Sequence, residues 1–412
     1  MTIDPTPHCP FPHDINQRKT GFGHDHLPLD LERQGEVWHV RSYAAVRQLL
    51  RDDERVRQGV ATDNVLVKRL YPSVIFQDGV SHREQRTAIA KYFTPKTVNE
   101  SYGALIGTLT GSIIGELMLA GKADLSDLTM QLAVEVGAQV IGLTDSRRPG
   151  MARRIDDLLK ELSDDAGQLS RLAETTNQTK GLLRMMRFYW MDVRPAIVAR
   201  RKVPREDVIS HLLSKGRSDL EIMVECITYA TAGMLTTREF ICVAAWHLLE
   251  DEALRREYLA GNQATRHRLL HEILRLEPVG VTLLRRAETE IQIEQGGVTQ
   301  TIPAGARIVL DIRTANADPA AVGAAPLELC PHRALPSGVQ PQAMSFGDGP
   351  HRCPGAFLAI HESDHFLQRL LSLPIRMTRA PKLTFSPKLM SYEIRDFELE
   401  METSVERFTP SY

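Results

Sequence analysis

The densest chemical signal in the sequence is the run Phe346-Gly347-Asp348-Gly349-Pro350-His351-Arg352-Cys353-Pro354-Gly355, which leads straight into an amphipathic stretch of helical period. It sets a cysteine in a rigid turn at the start of a helix. There the helix dipole and the free N–H groups favour the thiolate, the form of sulfur that ligates a metal. Gly347, Gly349 and Gly355 allow backbone bends and the close approach of something flat. Phe346 would shield the sulfur, and His351 and Arg352 add cationic donors. A lone cysteine is more often a buried structural thiol, but a structural thiol needs neither this much glycine nor these cations.

The same helix carries His361-Glu362-Ser363-Asp364-His365, a literal H-E-x-x-H. Two histidines at (i, i+4) could bind zinc while the glutamate activates water, as in a zinc hydrolase. No glycine and third histidine follow at the extended spacing, where Gln368 stands instead, so a third ligand would have to come from far away. His8, Cys9 and His13 could also catch a metal near the start of the chain. Gly347 and Gly349 do not extend to G-x-G-x-x-G because Arg352 holds the third position. There is no P-loop and no G-x-S-x-G. The chain shows no nicotinamide, flavin or nucleotide module of its own.

The Phe346–Gly355 segment resembles the F-G-x-G-x-H-x-C-x-G haem-binding loop of the cytochrome P450 family at every defined position, and further landmarks follow in order from about Val37 to the C-terminus. The resemblance implies a mainly α fold with small β-sheets, the cytochrome P450-type haem-thiolate fold. It would hold haem b (iron protoporphyrin IX), with Cys353 as the axial thiolate whose push favours O–O cleavage. Glu272 and Arg275 resemble the family's E-x-x-R, sharing a helix face at (i, i+3). Arg333 sits where the arginine that completes this structural triad belongs. His82 and Arg86, at (i, i+4), resemble the pair that grips the haem propionates. Arg285 resembles the third propionate ligand, with Arg286 replacing it if the strand register slips by one, and His351 would be the fourth. Charge-assisted bonds from four such groups would fix two carboxylates. Phe346, Gly347 and Gly355 complete the cofactor-binding set.

Ala232-Gly233-Met234-Leu235-Thr236-Thr237 lies inside the longest helical pattern of the chain. A glycine within a helix costs about 1 kcal/mol against alanine, so Gly233 signals the close approach of a ligand. The resemblance makes Gly233, Thr236 and Thr237 the catalytic set, with an acid before the first threonine to relay protons. Here that acid is missing, and Leu235 stands in its place. Either water or another acid substitutes, Glu239 one turn on being the candidate, or oxygen activation is atypical, by peroxide or by oxidative coupling. By family position the substrate walls come from 59–78, 228–235, 279–284 and 390–392. They offer Val60, Val65, Leu66, Ile75, Met234, Leu235, Val281, Leu283 and Met390, with Asn64, Tyr71, Tyr229 or Tyr392 as polar anchors. Such a pocket suits a hydrophobic or aromatic small molecule, as in secondary metabolism. Electrons would come from a ferredoxin and its reductase, docking over the cysteine side near Arg83, Lys91 and Arg352. A haem protein that senses or carries a ligand without catalysis is the alternative of another class.

The elements that must position these groups are readable from apolar period. Helices are expected at Tyr43 to Leu50, Leu105 to Met118, Leu128 to Ile141, Arg153 to Leu172 and, longest, Asp219 to Glu250. After Pro278 short strands are expected at Ile291 to Ile302, Ala306 to Asp311 and from Leu383 on, with a long irregular stretch from Asn316 to Arg352. Nothing divides this into pieces, so one domain over 1–412 is expected, with 1–36 loosely ordered. A net charge of -2 argues against a nucleic-acid partner. Five scattered cysteines fit a reducing compartment. The start of the chain lacks an apolar signal region, and no run of about 18 apolar residues is apparent. The expectation is a cytoplasmic monomer without membrane insertion.

Overall fold

The computed structural model describes residues 16–21, 28–59, 73–163, 171–295, 297–387 and 389–402. Helices form where the apolar period called for them, at Tyr43–Arg51, Gly103–Ala120 and Leu125–Ile141. The helix expected from Arg153 to Leu172 is helical on both sides of 164–170, in Met151–Ser163 and Arg171–Phe188. Three more matter for the site: Gly79–Ala90, Gln263–Leu276 and Ala356–Leu371.

The long helix starts at Asp219 with a capping box. The Ser218 side chain accepts from the Glu221 N–H, and the Glu221 carboxylate accepts from the Ser218 N–H. After Asp219–Tyr229 the helix widens into a π-type turn over Ala230–Leu235, then resumes as Thr236–Glu250. The Thr236 hydroxyl donates to the carbonyls of Ala232 (2.8 Å) and Gly233 (3.3 Å), acceptors inside the widened turn. From Thr237 to Ala245 the helix is buried on every side.

The strands build small sheets around this body. The largest has five strands, in the order β1 (Glu32–Gln34), β2 (Val37–Val40), β8 (Arg307–Asp311), β5 (Thr282–Ala287) and β3 (Val56–Gln58). Antiparallel pairing of β3 with β5 sets Gln58 opposite Arg285. β6 (Ile291–Gln295) and β7 (Val298–Ile302) form a hairpin. β10 (Lys382–Ser386) pairs β11 (Ser391–Arg395), while β12 (Glu398–Met401) lies between β4 (Lys122–Asp124) and β9 (Ile375–Met377). One apolar core gathers around the long helix, and a second fills the space between the large sheet and Tyr43–Arg51.

Two expectations need correction. Within Gly79–Ala120 there is a helical window of mean hydropathy 1.5, long and apolar enough by length and composition to cross a membrane. The reason lies in Gly103–Ala120, whose sole charge is Glu116. Its Ile106, Ile113 and Leu117 face the core, and the Arg369 guanidinium donates to the Gly107 carbonyl. The N-terminal segment is also tied down in part. Arg18 donates to the carbonyls of Leu276 (2.9 Å) and Arg313 (2.7 Å), Thr20 bonds the buried Glu277, and residues 32–34 form β1.

Candidate active site

Cys353 sits where the sequence puts it, at the mouth of the Ala356–Leu371 helix. Its N–H donates to the Phe346 carbonyl at 2.8 Å, closing the turn. The turn requires glycine at Gly349: the backbone has φ +65°, and a Cβ there would stand 2.2 Å from the Leu50 carbonyl oxygen. Burial pushes the Cys353 thiol up, while the Gly355 N–H, Arg86 and Arg352 pull it down towards thiolate. What exposure the residue keeps is towards a cavity of about 400 Å³ that it helps to line.

The cavity gathers most of the expected cofactor set: His82, Arg86, Arg285, His351, Phe346, Gly347 and Gly355 all line it. Of the two arginines, Arg285 lines the cavity, with Leu283 and Leu284 of the same strand, and Arg286 does not. Arg285 is 6% exposed and donates to the Gln58 side-chain oxygen (2.9 Å) and the Leu284 carbonyl (2.8 Å), neither of them an anion. Burial lowers its pKa to about 10. The His82 and His351 rings stack with centroids 3.8 Å apart. His351 Nε2 lies 3.4 Å from Asp78, whereas His82 Nε2 is buried without a hydrogen-bond partner. Burial, then the neighbouring His351 and Arg86, lowers the His82 pKa to about 4. Arg86 donates to the Arg352 carbonyl. A buried imidazole nitrogen without a partner, a buried guanidinium hydrogen-bonded to neutral acceptors and a cysteine facing the same space fit a flat, dianionic group such as haem.

Gly233, Met234, Thr236, Thr237, Tyr229 and Leu283 also line the cavity, and a Cβ at Gly233 would meet nothing within 4 Å. Four of the expected substrate contacts do not line it. Leu235, 3% exposed, is turned into the apolar core, so an acid at that position would not face the cavity. Val281 is buried, its carbonyl accepting from the N–H groups of Ile312 and Arg313. Met390 holds a turn before β11 at φ +51°. Tyr392 is fully buried and donates to the Glu277 carbonyl at 3.0 Å. Gly59 follows β3, its N–H donating to the Leu284 carbonyl at 3.1 Å, and Ile75 is a cavity residue. Val60, Asn64, Val65, Leu66 and Tyr71 lie outside the described residues, as do His8, Cys9 and His13.

Glu239 is not a relay either. It is fully buried, paired with Arg238 (3.0 Å) and Arg395 (2.7 Å), and accepts from the Ile394 N–H (2.7 Å). The acid that does reach the cavity is Glu362, from the apparent zinc motif. It is 3% exposed and hydrogen-bonded to Thr237, and burial raises its pKa well above the usual 4.5, which favours the protonated form. The motif's histidines point elsewhere. His361 stacks on Phe357, and His365 packs edge-on against His361. Among the described residues no cluster of three or more histidine, cysteine or carboxylate side chains is placed to hold a metal ion.

The structural triad assembles. Glu272 accepts from Arg275 (2.7 and 2.8 Å), from Arg333 (3.4 Å) and from the Cys330 N–H (2.9 Å). Arg275 also donates to the carbonyls of Asn316, Pro326 and Glu328. Sequence reasoning missed Asn316 and Ser345, which pin the chain before the cysteine turn: Asn316 accepts from the Met344 N–H (2.8 Å) and donates to Ser345. It also missed Gly137, a mid-helix glycine on the cavity, although the signal that singled out Gly233 applies equally to it.

Comparison with known proteins agrees with this geometry. The family model described as Cytochrome P450 matches residues 267–373, which include both the triad helix and the cysteine turn. The Biotin biosynthesis cytochrome P450 of Bacillus subtilis is 28% identical over 353 residues, covering 82% of this chain and 84% of that protein. Erythromycin C-12 hydroxylase of Saccharopolyspora erythraea is 26% identical over 368 residues, covering 85% of each. The crystal structure of CYP109B1 from Bacillus subtilis superposes with a TM-score of 0.72 at 22% identity, over 91% of this chain and 96% of that one. The similarity to these relatives extends far beyond the matched stretch, so the chain is similar to cytochrome P450 proteins across most of its sequence and shares their fold.

Proposed function

We propose that the protein is a single-domain haem b monooxygenase that oxidises an apolar or aromatic small molecule, with electrons from a ferredoxin-type partner. The observation that carries this reading is the largely apolar cavity, with Cys353 in one wall and the orphan His82 nitrogen in another. When bound, the haem would supply electron transfer and oxygen activation, with Cys353 Sγ as its ligand.

His82, Arg86, Arg285 and His351 would hold its two carboxylates, the buried Arg285 gaining the anion it lacks. Val74, Ile75, Val279 and Leu283 give the cavity an apolar wall that keeps water out, and Tyr229 is its phenolic anchor. Glu362 holds a proton at its carboxyl in the cavity wall, and the Thr237 hydroxyl, donating to that carboxyl, keeps it in place to deliver the proton. Thr236, held back on the Ala232 carbonyl, keeps its own hydroxyl oxygen available as an acceptor. A second acid in place of the one missing at Leu235 favours oxygen-driven turnover over peroxide-driven or coupling chemistry. The name of the erythromycin hydroxylase supports a small-molecule substrate of secondary metabolism. Exposed Lys91, Arg352 and Arg83 would meet the acidic electron donor, Lys91 lying 4.0 Å from Glu206 and Arg83 2.9 Å from Asp53. A cytoplasmic monomer is the state in which this would operate.

The test is optical. The reduced protein under carbon monoxide should give a thiolate-type haem spectrum, and Cys353→His should abolish that signature while still binding haem. A normal thiolate spectrum from Cys353→His would overturn the assignment. Product formed from a bound small molecule under reductant separates an enzyme from a haem sensor.

A further inference from the structure

Ser73 opens a single 3₁₀ turn, Val74–Phe76, closed by the Phe76 N–H donating to the Ser73 carbonyl at 2.9 Å. The first N–H groups of any helical turn need an acceptor, usually a side chain at the cap. Here the Ser73 side chain caps nothing. The Val74 N–H donates instead to Glu225 Oε1 at 2.9 Å, a residue 151 positions away on the long helix. The same oxygen accepts from Gln85 Nε2 at 3.1 Å, on the helix that carries His82 and Arg86. Beside it the Ser73 and Thr228 hydroxyls lie 2.9 Å apart. One carboxyl therefore ties together the long helix, the Val74–Phe76 turn and the Gly79–Ala90 helix.

The acid is expensive to keep there. Glu225 is 5% exposed, and burial raises its pKa to about 7. The nearby Arg217 is engaged by Glu221 at 2.7 Å. A buried carboxyl without a cation is not a net stabiliser by itself, so its value lies in the geometry it fixes. That geometry concerns the cavity. Val74 and Ile75 are wall residues, and Tyr229, one helical turn beyond Glu225, lines the cavity as well.

We infer that Glu225 is a positioning residue for substrate selection: it caps the Val74–Phe76 turn from across the fold and so sets how large an apolar molecule can stand beside Cys353. This rests on the proposed haem-containing function of the cavity. The role is distinct from proton delivery, which belongs to Glu362 and Thr237.

The experiment uses the haem-loaded enzyme with two probes, imidazole and 4-phenylimidazole, titrated against the Soret band, and hydrogen exchange of the amides of 73–77. Glu225→Leu should weaken 4-phenylimidazole by about fivefold, the size of one lost hydrogen bond, because the wall must then be ordered on binding. Imidazole, too small to need that wall, should bind as before, and the amides of 73–77 should exchange faster. Glu225→Gln, which keeps the acceptor oxygen, should restore both. Thr228→Val, which removes only the hydroxyl facing Ser73, should reproduce the size-selective loss if Glu225→Leu does not fold. Equal weakening of both probes, or unchanged binding with unchanged exchange, would overturn the proposal. Failure of the wild type to bind either probe would strike the haem reading instead, and the exchange result, which needs no haem, would still decide the role of Glu225.

Discussion

Gly137 and Met234 share one space: a Cβ built on Gly137 would stand 2.8 Å from the Met234 Cε and 3.0 Å from its Cγ. The long helix can place its methionine on the cavity only because the neighbouring helix has no side chain at that point. Gly137→Ala should gain up to about 1 kcal/mol in helix propensity yet lose about 1–3 kcal/mol to overpacking. The expected net is a modest loss of stability in urea, with Met234 pushed into the cavity and weaker 4-phenylimidazole binding. Gly137→Ala combined with Met234→Ala should recover most of that loss, which a double-mutant cycle measures.

Glu362 should carry its proton at neutral pH. An infrared spectrum should show the carbonyl stretch of a protonated carboxyl that disappears in Glu362→Gln and moves in Thr237→Val, which removes its hydrogen-bond donor. Persistence of the band in Glu362→Gln would assign it to another group. In turnover, Glu362→Gln should lower the product formed per electron consumed.

Leu235 belongs to the core, not to the cavity, and its replacements should behave accordingly. Leu235→Met, close in volume, should cost less than about 1.5 kcal/mol. Leu235→Glu buries an unpartnered carboxyl and should cost about 2–4 kcal/mol without raising oxygen-driven turnover. A faster enzyme from Leu235→Glu would show that the side chain does reach the oxygen site.

Removing Arg275 should be among the most damaging single changes. It is fully buried, pairs with Glu272 and donates to three backbone carbonyls of the stretch before the cysteine. Arg275→Met leaves the Glu272 charge and those carbonyls short of donors, so a loss of about 3–5 kcal/mol is expected in denaturant unfolding. Arg275→Lys should not rescue it, because one ammonium cannot span the carboxylate and the carbonyls together.

Glu225 also predicts a pH dependence. Its folded pKa, raised by burial to about 7, exceeds the ordinary 4.5. The folded state therefore binds the proton more tightly. The stability this adds is fully present below about pH 4.5 and is lost as pH rises to about 7, up to roughly 3 kcal/mol. The difference in unfolding free energy between wild type and Glu225→Gln should fall across that window and flatten above it. A difference that stays constant from pH 4.5 to 8 would refute the shift.

Local chemistry was readable in the sequence, and spatial adjacency was not. The cysteine turn, the His82–Arg86 pair and the long helix announce themselves because each depends on spacing within a few residues. Tyr392 was misplaced because a strand offers two faces, and β11 turns this one towards Glu277 instead of the cavity. Glu239 looked like a relay for being one turn past Thr236, but two arginines hold it from elements no local pattern connects to it. Glu362 was in view as part of an apparent zinc motif. Its meaning depends on the burial of one helix against another, and that burial leaves no periodic trace in the chain.

The widened turn at Ala230–Leu235 has a consequence for how this protein can change over generations. The turn already accommodates one residue more than a regular helix, so one further inserted residue would rotate everything downstream by about 100°. Thr237 would swing away from Glu362, Phe240 would leave the cavity, and Glu239 would lose Arg395 and the Ile394 N–H together. Substitutions along this stretch can be absorbed one at a time, but a change of length cannot, so lineages that diverge freely in side chains here should still agree in residue count.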